Sequence, residues 1–383
     1  MKMLMSSAAL AMALVAPAAA ETLVIGVATA QTGALAPFDA PVMEGVRLAV
    51  DEINAAGGIG GNTKIELIEK DVRSDAAQTS IAAQELVDQN VSVLILPCDA
   101  DPALAAIGIV ASAEIPAIST CASSPTLPEI GGDYMFANFP GDNVQATVSA
   151  SWAFDQGHRS AYIVYSPDTQ YTTMPLYFEE VFTKLGGTMS GRDTYTIGQQ
   201  DFSAIATRIA ALDPQPDVVM TSAYEPDFPS FLKALRAAGV ESQVIGSDGI
   251  DSPTTFSLGA AAEGLVFTTA GHATEESPLA AFNARYEARY GKPPETIFNA
   301  VGYDLIKVLE AAVLAAGSTD AKALRDAIAN LEGVQGATSV ITYKGTNGMP
   351  IREVALVRVS NGERELIAQL MPDAALIPAP RMQ

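Results

Sequence analysis

The feature that most constrains the fold is a regular alternation of short apolar runs with longer amphipathic ones, which starts at residue 22. Residues 23–28 are apolar and β-rich, whereas residues 41–54 carry apolar side chains at helical spacing. Continuous apolar strands separated by amphipathic helices are typical of parallel sheets covered by helices on both faces. We therefore predict an α/β fold. Further strands are predicted at 65–69, 91–96, 116–119, 161–165, 194–197, 218–222, 243–246, 339–343 and 354–359, and further helices at 78–89, 102–113, 146–154, 176–185, 202–212, 228–238, 278–290, 298–316 and 321–330.

The first twenty residues have the features of a cleaved export signal. Lys2 provides a positive charge, residues 10–15 are apolar and uncharged, and residues 18–20 offer an A-x-A cleavage site. We expect cleavage before Glu21 and a periplasmic location. A membrane-spanning helix needs about 20 predominantly apolar residues, and this stretch is shorter and interrupted by Pro17. No cysteine directly follows the cleavage site and no later apolar run could cross a bilayer, so we expect a protein that is not membrane-embedded.

The length of the chain predicts two domains. Without the leader, 363 of the 383 residues remain, whereas single hydrophobic cores stop growing at about 250 to 300 residues. The alternation of strands and helices forms one series before Pro140 and a second series after it. We therefore expect two α/β units.

Charge and motifs argue against several functional classes. A formal net charge of −22 argues against nucleic acid as a partner, because binding to phosphates needs clustered Lys and Arg. The sequence has no G-x-S-x-G, no H-E-x-x-H, no P-loop and no G-x-G-x-x-G after the first strand. We predict a protein that is not an enzyme and that carries no cofactor.

Two cysteines, Cys98 and Cys121, are present in a chain that we expect to enter an oxidising compartment. An even count in that setting favours a disulfide. Two buried free thiols are the alternative. We expect no metal site, because His158 and His272 do not stand at ligand spacing from the cysteines.

The loops that follow the predicted strands are the places to look for a binding site, because ligands of open parallel sheets bind at the carboxyl ends of the strands. Asp101-Pro102 is typical of a helix N-cap followed by Pro, so capping explains Asp101 better than ligand contact does. Ser124-Pro125 fits the same pattern. Helix N-termini here would present backbone donors to a ligand carboxylate. The loops of interest are residues 98–102, 121–125, 224–226 and 246–249.

Three side chains suggest how an amino acid could be held. Asp248, beyond a strand end, can bind an ammonium group through a charge-assisted hydrogen bond, although Asp-Gly is also a common turn pair. Tyr171 and Tyr224 combine an apolar face with a hydroxyl group, which suits either a pocket or a half-buried surface position. Both interpretations stay open for each residue.

The sequence resembles the periplasmic Leu/Ile/Val-binding proteins of branched-chain amino-acid ABC transporters, which are type I periplasmic binding proteins. The resemblance covers nearly all of the chain after the leader, and its most specific segment is similar to the family pattern INAxGGIxGxxxxL. The matching residues are Ile53-Asn54-Ala55-Ala56-Gly57-Gly58-Ile59 through Gly61, Lys64-Ile65-Glu66-Leu67, Asp71, Phe202-Ser203, Arg236-Ala237-Ala238-Gly239 and Glu263-Gly264-Leu265.

This resemblance implies two Rossmann-like lobes with parallel sheets, joined by a hinge of three chain crossings. We place lobe 1 at residues 21–139 plus 270–345 and lobe 2 at residues 140–269 plus 346–383. Closure of the hinge around a ligand is the motion expected of this arrangement.

The resemblance also implies site residues. The family binds the ligand carboxylate with a Ser and a Thr in strand-end loops, and the matching positions are Asp99 and Ser123. Asp248 matches the residue that receives the ligand ammonium. The other matching positions are Cys121 and Ala122 for backbone contacts, Tyr171 and Tyr224 for the aromatic residues of lobe 2, and Phe38 for the apolar side of the pocket. Cys98 and Cys121 fall at adjacent strand ends, which supports their pairing.

Asp99 departs from the family pattern, because an ionised carboxylate beside a ligand carboxylate is repulsive. Either Asp99 turns away to cap a helix, or the ligand is more cationic than a simple amino acid. We expect a monomeric receptor that captures an amino acid, of branched-chain type or related, and delivers it to an ABC transporter permease. The alternatives are a receptor for an amine, an amide or an aromatic acid, and a sensory module.

Overall fold

A computed structural model describes residues 21–168 and 173–381 of the chain. The predicted leader, residues 1–20, and Tyr171 lie outside the described residues. Within the described part, no helix combines the length and the apolarity that a membrane crossing requires.

The amino-terminal part of the chain forms a parallel sheet with the strand order β2-β1-β3-β4-β5. Strand β1 forms at the first apolar run because its side chains, from Leu23 onwards, are almost entirely buried between helices. The strands are β1 (Thr22–Thr29), β2 (Lys64–Asp71), β3 (Val93–Leu96), β4 (Ala117–Ser119) and β5 (Met135–Ala137). The helices are α1 (Ala36–Ala55), α2 (Ala76–Val87), α3 (Ala100–Leu104), α4 (Ile107–Ala113) and α5 (Thr126–Gly131).

The chain then builds most of a second sheet, in which β6, β8, β9 and β10 are parallel neighbours and β7 lies at the edge beside β6. The strands are β6 (Ser160–Tyr165), β7 (Thr188–Thr194), β8 (Val218–Thr221), β9 (Gln243–Gly246) and β10 (Val266–Thr269). The helices are α6 (Asp142–Asp155), α7 (Met174–Lys184), α8 (Ser203–Ala210), α9 (Asp227–Ala237) and α10 (Pro253–Phe256).

After β10 the chain returns to the first sheet and then to the second. The helices α11 (Pro278–Tyr290), α12 (Phe298–Ala316) and α13 (Ala321–Asn330) share a core with α1, and β11 (Val334–Gln335) pairs with β12 (Val340–Ile341). The antiparallel strands β13 (Val354–Ser360) and β14 (Glu363–Leu370) then extend the second sheet beyond β10. We call the first sheet with α1–α5 and α11–α13 the first unit, and the second sheet with α6–α10 the second unit.

Helix α12 packs directly on the backbone of α1. A Cβ atom at Gly45 would lie 1.7 Å from the carbonyl oxygen of Asn299, and one at Gly302 would lie 1.9 Å from that of Val42. No other residue type fits either position, so these two glycines set the distance between the helices. This contact holds the start of α12 against α1.

The chain passes between the two units three times within the described residues, after β5, after β10 and before β13. A buried ion pair holds these crossings together. The Arg352 guanidinium donates to Asp304 on α12 at 2.9 Å, and both side chains are fully buried. Arg352 also donates to the carbonyl oxygen of Asn138 in the first crossing and to the Thr338 hydroxyl, and Thr338 packs against Gly271 in the second crossing.

The predicted α/β class with parallel sheets is confirmed, and several element boundaries were wrong. Helix α1 starts at Ala36, five residues before the predicted start at Pro41, because Pro37 rather than Pro41 occupies the first turn. The predicted helix 102–113 is divided into α3 and α4. The strand predicted at 194–197 is β7, which ends at Thr194, and strands β5, β10 and β14 were not predicted.

Candidate functional site

A narrow cavity of about 10 Å³ lies between the two units. The first unit contributes residues from the start of α1, the end of β3 and the start of α12, and the second unit contributes the loops after β8 and β9. The cavity therefore lies at the carboxyl ends of parallel strands from both sheets, where ligands of such folds bind. Its lining residues are Leu35, Phe38, Cys98, Asp99, Tyr224, Asp248 and Phe298.

A larger and more open groove of about 650 Å³ lies elsewhere on the second unit. Its lining includes one residue just before each of the strands β6, β8, β9 and β10. In that order they are His158, Asp217, Ser242 and Gly264. This groove is at the amino ends of the parallel strands, the end opposite to the one that binds ligands in these sheets. The smaller cavity between the units is the better candidate site.

The first-unit side of the cavity is organised by the buried carboxylate of Asp39. Its Oδ2 accepts a hydrogen bond from the Ala30 backbone N–H at 2.8 Å. Its Oδ1 accepts from the Cys98 backbone N–H and the Thr120 hydroxyl, each at 2.9 Å. Because Ala30, Cys98 and Thr120 follow β1, β3 and β4, one side chain joins three strand ends. Burial raises the pKa of Asp39 to about 7, against the effect of these donors.

A disulfide between Cys98 and Cys121 reinforces the same strand ends. The two Cα atoms are 4.4 Å apart, and the bond closes a sequence separation of 23 residues. This pairing decides between the two alternatives that the sequence left open for the cysteines. The loops after β3 and β4 are thus covalently linked beside the cavity.

Asp99 both caps a helix and lines the cavity. Its carboxylate accepts a hydrogen bond from the Asp101 backbone N–H at 3.1 Å, which makes Asp99 the N-cap of α3. The expectation that Asp101 is the N-cap was wrong, because α3 begins at Ala100 and Pro102 lies inside its first turn. Burial and the neighbouring Asp101 carboxylate raise the pKa of Asp99 to about 6.

Aromatic rings form the apolar walls of the cavity. Phe38 lies edge-to-face with Tyr224 at a centroid distance of 6.0 Å and with Phe298 at 5.5 Å. The Tyr224 carbonyl oxygen accepts hydrogen bonds from the backbone N–H groups of Asp227 and Phe228 at the start of α9, which fixes Tyr224 in place. Burial and the charge of Asp99 raise the pKa of the Tyr224 hydroxyl.

Two further buried carboxylates belong to the second unit: Asp248 lines the cavity, and Asp142 interacts with it through its charge. Asp248 is 2% exposed and begins a single 3-10 turn after β9. Asp142, at the start of α6, is 1% exposed, and its backbone N–H donates to the Ser123 carbonyl oxygen at 2.7 Å. Burial, together with the charges of Asp248 and Asp99, raises the pKa of Asp142 well above its ordinary range, and the hydroxyls of Ser123 and Thr173 oppose this rise.

The structure brings together four of the eight residues that were predicted to bind the ligand, with the disulfide cysteine Cys98 beside them. Phe38, Cys98, Asp99, Tyr224 and Asp248 line one cavity. The remaining positions are Cys121, Ala122 and Ser123, which are buried in the loop after β4 and do not line the cavity, and Tyr171, which lies outside the described residues.

Sequence reasoning missed the buried Asp39 described above and three further residues of this region. Leu35 and Phe298 line the cavity, and Asp142 is coupled to Asp248 and Asp99 through its charge. A signal existed for Phe298, because it is the first residue of a long apolar helix. Asp142 follows Gly141 at a crossing between the units, and nothing in the local sequence distinguishes it from an ordinary helix-start carboxylate.

The family of the chain follows from this architecture and from comparison with known proteins. The family model described as periplasmic binding protein matches residues 22–364. The chain therefore belongs to the periplasmic binding protein family. Membership of a family of binding proteins also confirms the prediction that the chain is not an enzyme.

Individual relatives agree with this assignment. The Leu/Ile/Val-binding protein BraC3 of Rhizobium johnstonii is 27% identical over 351 residues, which cover 91% of this chain and 94% of that protein. A leucine-binding protein of Thermotoga maritima has a TM-score of 0.82 at 28% identity and covers 91% of this chain and 99% of its own. These relatives confirm the resemblance seen in the sequence. A solute-binding protein of R. palustris in complex with 4-hydroxybenzoate, 20% identical with a TM-score of 0.82 over 92% of this chain and 98% of its own, shares the fold alone.

Proposed function

We propose that this chain is the substrate-binding component of an ABC importer and that it captures a small solute with an amino group, an amino acid or a related compound. The observation that carries the proposal is a cavity whose walls come from both units and whose polar groups lie at the carboxyl ends of the strands. The names of the relatives support an amino acid as the ligand.

The proposal includes a closing motion of two lobes. Lobe 1 comprises residues 21–139 plus 270–345, and lobe 2 comprises residues 140–269 plus 346–383. Because Phe38 and Asp99 belong to one lobe and Tyr224 and Asp248 to the other, opening at the crossings separates the cavity walls and admits a ligand. Closure then buries the ligand on all sides.

The proposal also includes the cellular setting. After removal of the leader at residues 1–20, the protein works in the periplasm as a monomer and delivers its ligand to a membrane permease. The family assignment supports the periplasmic location.

Asp248 is the residue we assign to the ligand ammonium. Thermal unfolding of the mature protein in the presence of amino acids and amines should identify at least one stabiliser, since a ligand at 100 times its dissociation constant adds about 2.7 kcal/mol. Asp248→Asn should lower the affinity for that ligand by about 30-fold or more, because the ligand ammonium loses a buried charge partner.

The control variant is Asp133→Asn, which removes an exposed carboxylate outside the cavity and should leave the affinity unchanged. A panel in which no amino acid or amine raises the unfolding temperature would refute the proposed function.

A further inference from the structure

The two units stand in a closed arrangement. The cavity between them measures about 10 Å³. The ring of Phe38 on α1 lies edge-to-face with that of Tyr224 after β8, at a centroid distance of 6.0 Å. Contacts between the units in this structure are therefore contacts of the closed form. An opening motion has to break those contacts that lie outside the three crossings.

A second space between the units is a groove of about 370 Å³ directly behind the cavity walls. The first unit contributes residues of α11 and the start of α12, and the second unit contributes Asp251 and the start of β14. Ile297 lines this groove, whereas the next residue, Phe298, lines the ligand cavity. On the other unit, Asp251 lines the groove and Asp248 lines the cavity. The same two segments of the chain thus border both spaces.

Asp251 fixes the 3-10 turn that begins at Asp248. Its backbone N–H donates to the Asp248 carbonyl oxygen at 2.9 Å, which closes the turn. Its side chain is 1% exposed, and its Oδ2 accepts from the Thr269 hydroxyl at the end of β10, at 2.8 Å. A buried carboxylate needs hydrogen bonds or a cation. The position of Asp251, and with it that of Asp248, therefore depends on the groups that pair with the Asp251 carboxylate.

Arg364, at the start of β14, is the cation that pairs with Asp251. Its Nε donates to the Oδ1 atom of Asp251 at 2.6 Å, and its Nη2 lies 2.6 Å from the same oxygen. The guanidinium also lies over the ring of Phe256 on α10, with 4.3 Å between Cζ and the ring centroid. A planar guanidinium that is both paired and stacked is held in one orientation. These contacts all lie within the second unit.

The same guanidinium also reaches the first unit. Its Nη2 donates to the carbonyl oxygen of Glu295 at 3.2 Å. Glu295 lies in the loop between α11 and α12, just before Phe298 of the cavity wall. Arg364 and Glu295 belong to none of the three crossings, so the connected chain does not keep them together when the units separate. One side chain therefore joins the turn of Asp248 to the segment that carries Phe298.

On the basis of the function proposed above, we propose that Arg364 is a positioning residue for ligand binding. It does not line the cavity. Through Asp251 it holds the turn of Asp248, and through the Glu295 carbonyl oxygen it holds the second unit against the first in the closed form. Opening separates the guanidinium from Glu295 and keeps its pairing with Asp251, because Asp251 and Arg364 belong to the same unit. A bound ligand therefore dissociates faster when the bond to Glu295 is missing.

Arg364→Lys separates the two contacts of this side chain. Lysine keeps a positive charge beside Asp251, but its ammonium ends one bond before the Nη2 position and lacks the planar fork that serves two acceptors at once. Arg358→Lys is the matched control, because it makes the same exchange on the neighbouring strand β13. The Arg358 guanidinium is partly exposed and lies 4.0 Å from Glu365 within the second unit.

Stopped-flow fluorescence of the mature protein, dialysed to remove carried-over ligand, measures the rate constants of binding. Leucine is the first probe, because one relative is a leucine-binding protein. If another amino acid or amine of the panel described above stabilises the protein more, that compound replaces leucine. Arg364→Lys should raise the dissociation rate constant about fivefold, because a partly exposed hydrogen bond from a charged donor is lost in the closed form. The association rate constant should stay within about twofold, and Arg358→Lys should change neither.

Unfolding of the ligand-free protein distinguishes this role from a purely structural one. The bond to Glu295 belongs to the closed form, so the urea midpoint of ligand-free Arg364→Lys should equal that of Arg358→Lys. If Arg364→Lys does not fold, the double variant Arg364→Met with Asp251→Asn serves as the second variant. It removes both charges, so that neither is left buried without its partner, and the same rise in the dissociation rate constant is expected.

The outcomes separate this inference from the proposed function. Equal dissociation rate constants in Arg364→Lys and Arg358→Lys would overturn the role of Arg364 and leave the transport function standing. A lower urea midpoint with an unchanged dissociation rate constant would also overturn it, because Arg364 would then be a structural residue only. If no member of the panel binds, the proposed function fails and this inference fails with it.

Discussion

The two sides of the cavity are built differently. On the first-unit side, Asp39 and the disulfide join the ends of β1, β3 and β4 through bonds within the protein. On the second-unit side, Tyr224 and Asp248 lie in separate loops after β8 and β9, and no disulfide links these loops, because both cysteines of the sequence lie on the first-unit side. The comparison teaches that the loops of one side are linked to each other by a covalent bond and a shared carboxylate, whereas each loop of the other side is held by the first turn of its own helix or 3-10 turn.

Among the bonds on the first-unit side of the cavity, which we call the first wall, the disulfide should contribute most to the free energy of unfolding. Replacing both partners, Cys98→Ser with Cys121→Ser, should lower the free energy of unfolding by about 3 kcal/mol, because the unfolded chain gains the freedom of a loop of this length. Urea unfolding of the oxidised protein and of the double variant measures the difference.

The control is the same comparison with a reductant present, under which the two proteins should become nearly equal in stability. If the double variant is as stable as the oxidised protein, the disulfide does not stabilise the first-unit side of the cavity. The proposed difference between the two sides would then rest on Asp39 alone.

Removing the charge of Asp39 should have the next largest effect. Asp39→Asn places an amide NH₂ against at least one backbone N–H or the Thr120 hydroxyl, which leaves a buried donor without an acceptor and costs about 2 kcal/mol. Asp75→Asn is the matched control, because Asp75 is exposed and its side chain accepts from one backbone N–H at the start of α2.

The difference in stability between the original protein and Asp39→Asn should change with pH in a definite direction. The pKa of Asp39 rises from 3.8 to about 7 on folding, so the folded protein binds its proton more tightly than the unfolded chain does. The stability that Asp39 contributes is therefore fully present below pH 3.8 and decreases as pH rises through 7. The stability gap between the original protein and Asp39→Asn should narrow over this range; a gap that widens with pH would contradict the assignment.

Asp99→Asn should have the smallest effect on stability, below about 0.5 kcal/mol, because Asn and Asp are similar N-caps. Thermal unfolding without ligand measures it. A destabilisation as large as that of Asp39→Asn would mean that Asp99 is part of the first wall's framework rather than a ligand-facing group.

The sequence predicted the fold well where periodicity was strong and poorly at the edges of the sheets. Helices α11, α12 and α13 were placed at their observed limits because long amphipathic patterns define them. Strand β7 was misplaced because, as an edge strand with no fully buried side chain, it lacks an apolar run. Strands β5 and β10 were missed although β4, β8 and β9 are equally short and were predicted, because Met135–Ala137 and Val266–Thr269 contain fewer consecutive β-branched apolar residues than β8 and β9.

The candidate site was predictable where a residue follows a strand, and unpredictable where only the tertiary fold brings a residue close. Asp99, Tyr224 and Asp248 follow β3, β8 and β9 and were found by that rule. Asp39 and Asp142 lie in helices, and their roles arise from hydrogen bonds and charges contributed by distant segments. The residues next to Asp39 and Asp142 in the sequence therefore do not indicate those contacts.

The crossings that Arg352 holds together also bear on how the nascent chain folds. Domains made of one continuous segment can fold in turn as they emerge during synthesis. Here the first core needs α12 and α13, which are made after most of the second sheet, and the second sheet needs β13 and β14 near the carboxyl end. Because α12 and α13 follow most of the second sheet in the chain, and β13 and β14 follow α13, the two halves cannot fold one after the other as continuous segments.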